Sequence, residues 1–457
     1  MDAMSTTPRF PALAYSFALL FALAALAAAW YWVGRPVDLP DAATPTHKLQ
    51  CASYTPFDKD QSPFQQPFVL RKERVDADLA LLAQRFTCIR TYSQIGLEAL
   101  PELARKHGLK MLAGAWVSAN PADTELEIKA LISTANTYPD VIDAVIVGNE
   151  VLLRKEATES QLVALIARVK AAVQQPVTYA DVWEFWIKHP QMAPAVDFLT
   201  IHLLPYWEDD PTGIDAALNQ VANVRRAFGN AYAPKDILIG ETGWPSEGRQ
   251  RETALPSRVN EALFIRGFVK LAEDNGWRYN LIEAFDQPWK RDSEGAVGGF
   301  WGLYDADRGD KGILAGPVSN LPHWPLWLGA SGLLLLAALL LAAIVTTLAE
   351  EGAIEPGAAG EWVRGLDTVI DAMAPHLPPH VHFVPAHPVA GTENSGPTAG
   401  FAELFDGRWC ILTPPEGTSA EATERLRAFW AGLGARVETM TPDHHDLVLA
   451  ITSHLPH

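Results

Sequence analysis

From Lys48 to about Asn320 the chain alternates two patterns. Short apolar runs end in polar or aromatic residues near Tyr54, Tyr92, Trp116, Glu150, Asp181, His202, Glu241 and Phe285. Between most of them lie stretches with apolar residues at helical spacing, such as Val75 to Arg85 and Ser160 to Val173. A run that is apolar at every position reads as a strand buried on both faces of a parallel sheet. Eight such strands alternating with helices over roughly 270 residues match, in count and length, an α/β fold of the (β/α)8 TIM-barrel type; a doubly wound open sheet is the alternative.

Two longer uncharged runs bracket this region, Pro11 to Val33 and Trp324 to Leu348. Each is long enough to cross a bilayer. Trp30, Tyr31 and Trp32 close the first and Trp324 and Trp327 open the second, as interfacial aromatics do. Both are expected as transmembrane helices, the first as a retained anchor over a signal peptide cleaved near Ala27 and Ala29. Two spans place both termini on one side of the membrane and the barrel on the other. The expected order is an anchor and Pro-rich linker (1–47, span 11–33), a barrel (48–320), a second span (324–348) and a Gly/Ala/Glu linker (349–368). Residues 369–457 follow as a small α+β module with one amphipathic helix, Ala420 to Trp430.

Composition narrows the function. A net charge of −18 and a pI near 5.1 leave no basic surface for phosphates, which excludes nucleic acid as partner. The 15 Trp divide between groove, core and interface. Three cysteines without CxxC spacing predict no metal site. Cys51 and Cys88, early in successive strands, are expected as two buried thiols, with a disulfide as the alternative in an exported domain.

The chemistry sits at two strand ends. Ala144 to Val151 (AVIVGNEV) and Ile237 to Ser246 (ILIGETGWPS) are apolar runs that each deliver one carboxylate, Glu150 and Glu241. The C-terminal ends of barrel strands are where such folds carry catalysis. Two carboxylates there are what glycosidic cleavage requires, one as acid and one on the far side of the anomeric carbon. Asn149 offers an amide for a sugar 2-hydroxyl, and the turn Thr242 to Pro245, with Trp244, holds Glu241. Tyr54, Arg90, Tyr92, Trp116, Asp181, His202, Tyr206, Glu283, Asp286 and Trp289 fall at other strand ends and are candidates for a saccharide groove, with Arg90 placed to keep a carboxylate ionised.

VGNEV, IGETGWPS, IRTYS, HLLPYW, EAFDQPWK and WGLYDADR together resemble glycoside hydrolase family 17 in its bacterial membrane-anchored branch, over roughly residues 48–320. The resemblance implies a TIM barrel, retaining cleavage of β-1,3-glucans, and in some members transglycosylation that builds β-1,6 branches. It makes Glu150 the acid/base and Glu241 the nucleophile, with no cofactor or metal for the barrel. Its implied partners are a β-glucan, the lipid bilayer and a glucan synthase. The implied place is a bacterial inner membrane with the barrel on the periplasmic side and the tail in the cytoplasm. The alternative from another class is a non-catalytic glycan-binding envelope protein.

Val384 to Pro415 and Asp443 to His457 resemble prephenate dehydrogenase, an NAD(P) enzyme of tyrosine synthesis, and the resemblance gives His387 and His457 active-site roles. No GxGxxG follows a strand upstream of this module, so the dinucleotide-binding half is expected to be absent and the tail a truncated fragment. NAD(P) would be its cofactor in a bifunctional chain.

Overall fold

The computed structural model describes residues 12–42, 47–65, 70–350, 373, 376–378, 381–389, 405–442 and 444–445. The chain divides into two compact units, residues 1–330 and 331–457.

In the first unit eight parallel strands close on themselves: β1 Leu49–Ser53, β2 Phe86–Arg90, β3 Lys110–Ala115, β4 Ile142–Asn149, β5 Val177–Val182, β6 Leu199–His202, β7 Ile237–Glu241 and β8 Arg278–Leu281. Closure is direct, because β1 pairs with β8 through Cys51 opposite Asn280, and the open-sheet alternative is excluded. The strands alternate between two apolar environments. Cys51, Cys88, Leu112, Ile146 and Leu238 form one cluster. Their neighbours Ala52, Ile89, Met111, Val147 and Ile239 belong to the larger core shared with the helices. This is the period of two expected when one strand face fills the barrel and the other receives the helix layer.

The helices start where local chemistry allows. Among them are α1 Ala12–Gly34, α2 Lys72–Leu82, α3 Leu100–Lys106, α4 Pro121–Thr137 and α5 Glu159–Lys170. Asn120 caps α4 ahead of Pro121, and Thr158 with Gln161 forms a reciprocal capping box on α5. β8 stops at Leu281, earlier than the apolar pattern predicts, so Glu283 to Phe285 belong to a crossing segment whose Phe285 bridges Tyr304.

Three expectations change. Cys51 and Cys88 are not thiols but a disulfide, because they stand directly opposite each other in the β1–β2 register with Cα atoms 4.4 Å apart. The segment before β1 is not a loose linker. Val37 pairs with Val318, the Ala42 amide donates to the Leu314 carbonyl (2.9 Å), and Arg266 donates to the Leu39 carbonyl (2.9 Å). Helices do form at both expected spans, α1 and Trp324–Glu350, yet among the described residues no helix is long and apolar enough to cross a membrane.

The second unit holds a three-stranded sheet in the order β11-β10-β9, with β9 Ala386–Val389, β10 Trp409–Leu412 and β11 Arg436–Thr439. The predicted amphipathic helix forms over Ala420–Gly432, capped by Ser419.

Candidate active site

Glu241 ends β7 and is 4% exposed. Arg90, at the end of β2, reaches across the barrel to it: Nη1 lies 3.1 Å from Glu241 Oε1 and 2.7 Å from the Gly240 carbonyl. Nη2 donates to Asn149 Oδ1 at 2.6 Å, which fixes that amide and turns its NH2 away from the guanidinium. Tyr92 donates a second hydrogen bond to Glu241 Oε1 at 2.9 Å. Ser53 braces the Tyr92 hydroxyl at 2.8 Å, and Asn280 braces Ser53 at 2.8 Å. A Cβ on Gly240 would stand 2.4 Å from Thr200 and within 3.4 Å of His202 and Arg90, so glycine here leaves the room in which those side chains meet.

Glu150 is held differently. It follows β4 with φ +53°, a left-handed backbone that costs a non-glycine residue about 1 kcal/mol or more. Gly148, at φ +88°, precedes it, and its missing Cβ would lie 2.6 Å from Val151. The Glu150 amide donates to the Ala180 carbonyl (2.8 Å), and Arg154 reaches back to the Asn149 carbonyl. The carboxylate is half-buried and takes a 2.9 Å hydrogen bond from His202 Nδ1. Burial pushes Glu150 up. The bond and charge of His202, with Arg154 and Arg90, outweigh it and hold the carboxyl below its ordinary value.

His202, at the end of β6, lies between the two carboxylates and is fully buried. Its Nε2 is 3.6 Å from Glu241 Oε1 and makes no hydrogen bond. One oxygen of each carboxylate and a His202 nitrogen all lie within 4.8 Å of one another. Such a cluster has the spacing of a cation site. Here an imidazole already bonds one carboxylate and a guanidinium the other, so the chain's own side chains meet the charge, and we assign no metal to it.

The groove above has a volume of about 1400 Å³, enough for several sugar rings. Glu150, Glu241, Asn149, His202 and Tyr92 lie on its floor, and Tyr54, whose hydroxyl bonds Asp78 at 3.1 Å, borders it. Trp116 lies over Arg154 (4.1 Å), and Trp289 meets Phe57 and Phe64 edge-on. Other candidates are not brought to the groove. Tyr206 is buried with its hydroxyl on the Arg249 carbonyl (2.5 Å), and Trp244 with its ring N–H on the Leu255 carbonyl (3.0 Å). Asp181 bonds Tyr179, and burial pushes it up to about 6. Glu283 pairs with Lys290 at 2.9 Å, and burial pushes it up to about 7 against that cation. Asp286 pairs with Lys311 at 3.2 Å.

The structure adds groove residues the sequence reasoning missed, among them Trp183, Trp207, Lys290 and Trp301. Trp207 stacks on Trp301 (6.2 Å, 15°), and the Trp183 ring donates to Glu208 at 3.1 Å. Trp207, Lys290 and Trp301 lay within HLLPYW, EAFDQPWK and WGLYDADR, beyond the strand ends where the apolar signal stops.

In the second unit His387 Nδ1 lies 3.0 Å from His445 Nε2, and His457 lies outside the described residues. Among the described residues there, β10 leads to its helix through TPPEGTS, without the glycine-rich turn that holds a dinucleotide pyrophosphate.

Comparison with known proteins agrees with both halves. Residues 367–439 match the prephenate dehydrogenase nucleotide-binding domain, which corrects the expectation that this half is wholly absent: a piece of it is present, without its glycine-rich turn. A cyclohexadienyl dehydrogenase of Zymomonas mobilis is 51% identical over 90 residues, 20% of this chain and 30% of that protein. A probable β-glucosidase of Aspergillus flavus is 30% identical over 244 residues, 51% of this chain and 39% of that protein. A probable family 17 glucosidase of Saccharomyces cerevisiae is 25% identical over 209 residues, 45% of this chain and 53% of that protein. The chain thus spans about a third to a half of these relatives' lengths. The barrel fold is shared with the solved glycoside hydrolase family 17 β-1,3-glucanosyltransferase of Rhizomucor miehei (24% identity, TM-score 0.51, 58% of this chain and 97% of that one). Residues 51–302, more than half of the chain, match one family, and the chain belongs to it: the BtgE/BtgC glycoside hydrolase domain family.

Proposed function

We propose that the barrel is a retaining β-glycosidase of β-1,3-glucans, working as hydrolase or glucanosyltransferase, with Glu241 as nucleophile and Glu150 as acid/base. The observation that carries this reading is the carboxylate pair with nearest oxygens within 4.8 Å on the floor of the groove. A close pair is the arrangement of a retaining enzyme, whose two carboxyl groups stand roughly 5–5.5 Å apart. Glu241 attacks the anomeric carbon while Glu150 protonates the leaving oxygen. Water or a sugar hydroxyl, deprotonated by Glu150, then releases the glycosyl group. The glucanosyltransferase of Rhizomucor miehei, solved with laminaritriose as an active-site mutant, supports the substrate class. Incubation of the full chain with laminari-oligosaccharides, followed by linkage analysis, tests it. Shorter products or new linkages are expected, and intact substrate overturns the reading.

The same proposal places the barrel outside a bacterial inner membrane, anchored by the uncharged segments at 11–33 and 324–348, with the tail in the cytoplasm and a glucan synthase as neighbour. The Cys51–Cys88 disulfide supports an oxidising compartment for the barrel. Tyr31 and Trp324 meet edge-on at 5.8 Å, which supports both flanking helices leaving the barrel together. A cysteine introduced on the barrel surface should react with a membrane-impermeant thiol reagent in intact cells; protection until lysis would sink this placement. No cofactor is proposed for the barrel, and no dehydrogenase step is proposed for the tail.

A further inference from the structure

A general acid must carry a proton when substrate arrives, yet Glu150 is surrounded by groups that favour its anion. The hydrogen-bond partner of that anion is His202, and His202 touches little else that is polar. Its Nδ1 is 2.9 Å from Glu150 Oε1, while Nε2 faces Glu241 Oε1 at 3.6 Å without a hydrogen bond of its own. The imidazole is 1% exposed, so no solvent proton reaches it except through the groove. We propose that His202 is a positioning residue that stores the proton Glu150 delivers, through the 2.9 Å contact between its Nδ1 and Glu150 Oε1.

The surroundings suit this role. Around His202 stand Glu150 from the turn after β4, Glu241 from β7 and Asp181 from β5, with Arg90 from β2 bonded to Glu241. Arg154 acts on Glu150, while Lys290 and Glu294 act on Glu241 from the segment after β8. The named groups are four carboxyls (Glu150, Glu241, Asp181, Glu294) against three cations (Arg90, Arg154, Lys290), so a protonated imidazole adds no surplus positive charge to the site. The proton then has two resting places joined by one 2.9 Å contact: on Nδ1 with Glu150 ionised, or on Glu150 Oε1 with the imidazole neutral and its remaining N–H on Nε2.

The reaction moves it between them. As the Glu241 oxygen bonds to the anomeric carbon, its negative charge is spent and the imidazolium loses a counter-ion. The Nδ1 proton passes to Glu150 Oε1, and Glu150 gives it to the departing oxygen, which keeps the electron pair of the broken C–O bond. In the second half an acceptor hydroxyl bonds to that carbon and yields its proton to Glu150. The Glu241–carbon bond breaks with its pair returning to the carboxylate, and the restored charge draws the proton back to Nδ1.

This inference rests on the assignment of Glu150 and Glu241, and the test separates the two. The pH dependence of kcat/KM is measured for the full chain on laminari-oligosaccharides, unmodified and as His202→Asn and His202→Gln. The asparagine amide can donate to Glu150 as Nδ1–H does but cannot release a proton. An imidazole–carboxyl pair loses its last proton at higher pH than a carboxyl alone, so both variants should move the alkaline limb down by roughly one to two units. Near neutral pH the rate should fall about 10- to 100-fold in step with that shift. A rate lost with the limb unmoved, or a His202→Asn protein with an unaltered profile, overturns the proposal. A measurement on the unmodified chain covers variants that fail to fold. Imidazolium ionisation is strongly endothermic and carboxyl ionisation nearly athermal, so the alkaline limb should move to lower pH on warming, and a stationary limb overturns the proposal. Failure of the underlying assignment reads differently, as intact substrate at every pH.

Discussion

Glu241 and Glu150 are the same residue type at the ends of two strands of one barrel, held in opposite ways. Glu241 is buried and accepts from a guanidinium and a phenol, each braced in turn by further buried groups. Glu150 is half-buried, carried on a left-handed turn, and bonded to an imidazole. The difference teaches how one side-chain chemistry is divided between two tasks. Donors that never give up a proton hold a carboxylate as an anion, as a nucleophile requires. On the proposed roles, an imidazole in contact with the other carboxylate can hand it a proton, as an acid that becomes a base requires.

The sharpest way to break this contrast is to neutralise Glu241. Glu241→Gln should lower turnover on laminari-oligosaccharides by on the order of 10⁴-fold or more and abolish covalent trapping by a fluorinated glycoside; full activity would remove the nucleophile role. Glu150→Ala should cost about 10²–10⁴-fold with sugar leaving groups and far less with an activated aryl glycoside, whose departure needs no proton. Equal losses on both substrates would mean that Glu150 is not the acid. Tyr92→Phe removes one donor to the buried anion and should cost about 10- to 100-fold in kcat/KM on aryl and sugar leaving groups alike. A loss confined to sugar leaving groups would tie Tyr92 to the acid instead. Mildest for catalysis is the Cys51→Ser, Cys88→Ser pair. It should lower unfolding free energy by about 2–4 kcal/mol in denaturant titrations while leaving activity within a few-fold. Because the disulfide joins the strands that carry Ser53, Arg90 and Tyr92, a larger activity loss would show that the Glu241 side depends on it.

Much of this was legible in the residue pattern, for a physical reason. A parallel barrel buries both faces of each strand, so its strands stand out as apolar runs, and the two groove carboxylates follow immediately where those runs end. Glu150, Glu241, Asn149 and Arg90 were found that way. What escaped depends on register and on loops. The Cys51–Cys88 bond needs the two cysteines to be opposite partners, and no pattern along one strand fixes its alignment with the next. His202 was visible at a strand end. That it faces both carboxylates follows from the irregular pairing where Ile201 and His202 meet β7. Tyr206 and Trp244 looked like groove aromatics, but their loops fold back and place both rings in the core, where backbone carbonyls accept their polar hydrogens. Trp183 opens a short helix directly after β5 and Trp301 comes from the segment after β8, beyond the apolar runs that mark the strands.

The short antiparallel contact between Val37 and Val318 has a consequence beyond packing. Together with the hydrogen bond from Ser319 to the Gly34 carbonyl (2.7 Å), it brings the entry and exit of the barrel to one point and fastens them there. A unit whose two ends are stapled side by side behaves as a cassette. It can be spliced into a host sequence at a single break without stretching the host or unravelling itself. Tension applied through the flanking helices would meet this clasp before it reached any strand carrying Glu150 or Glu241.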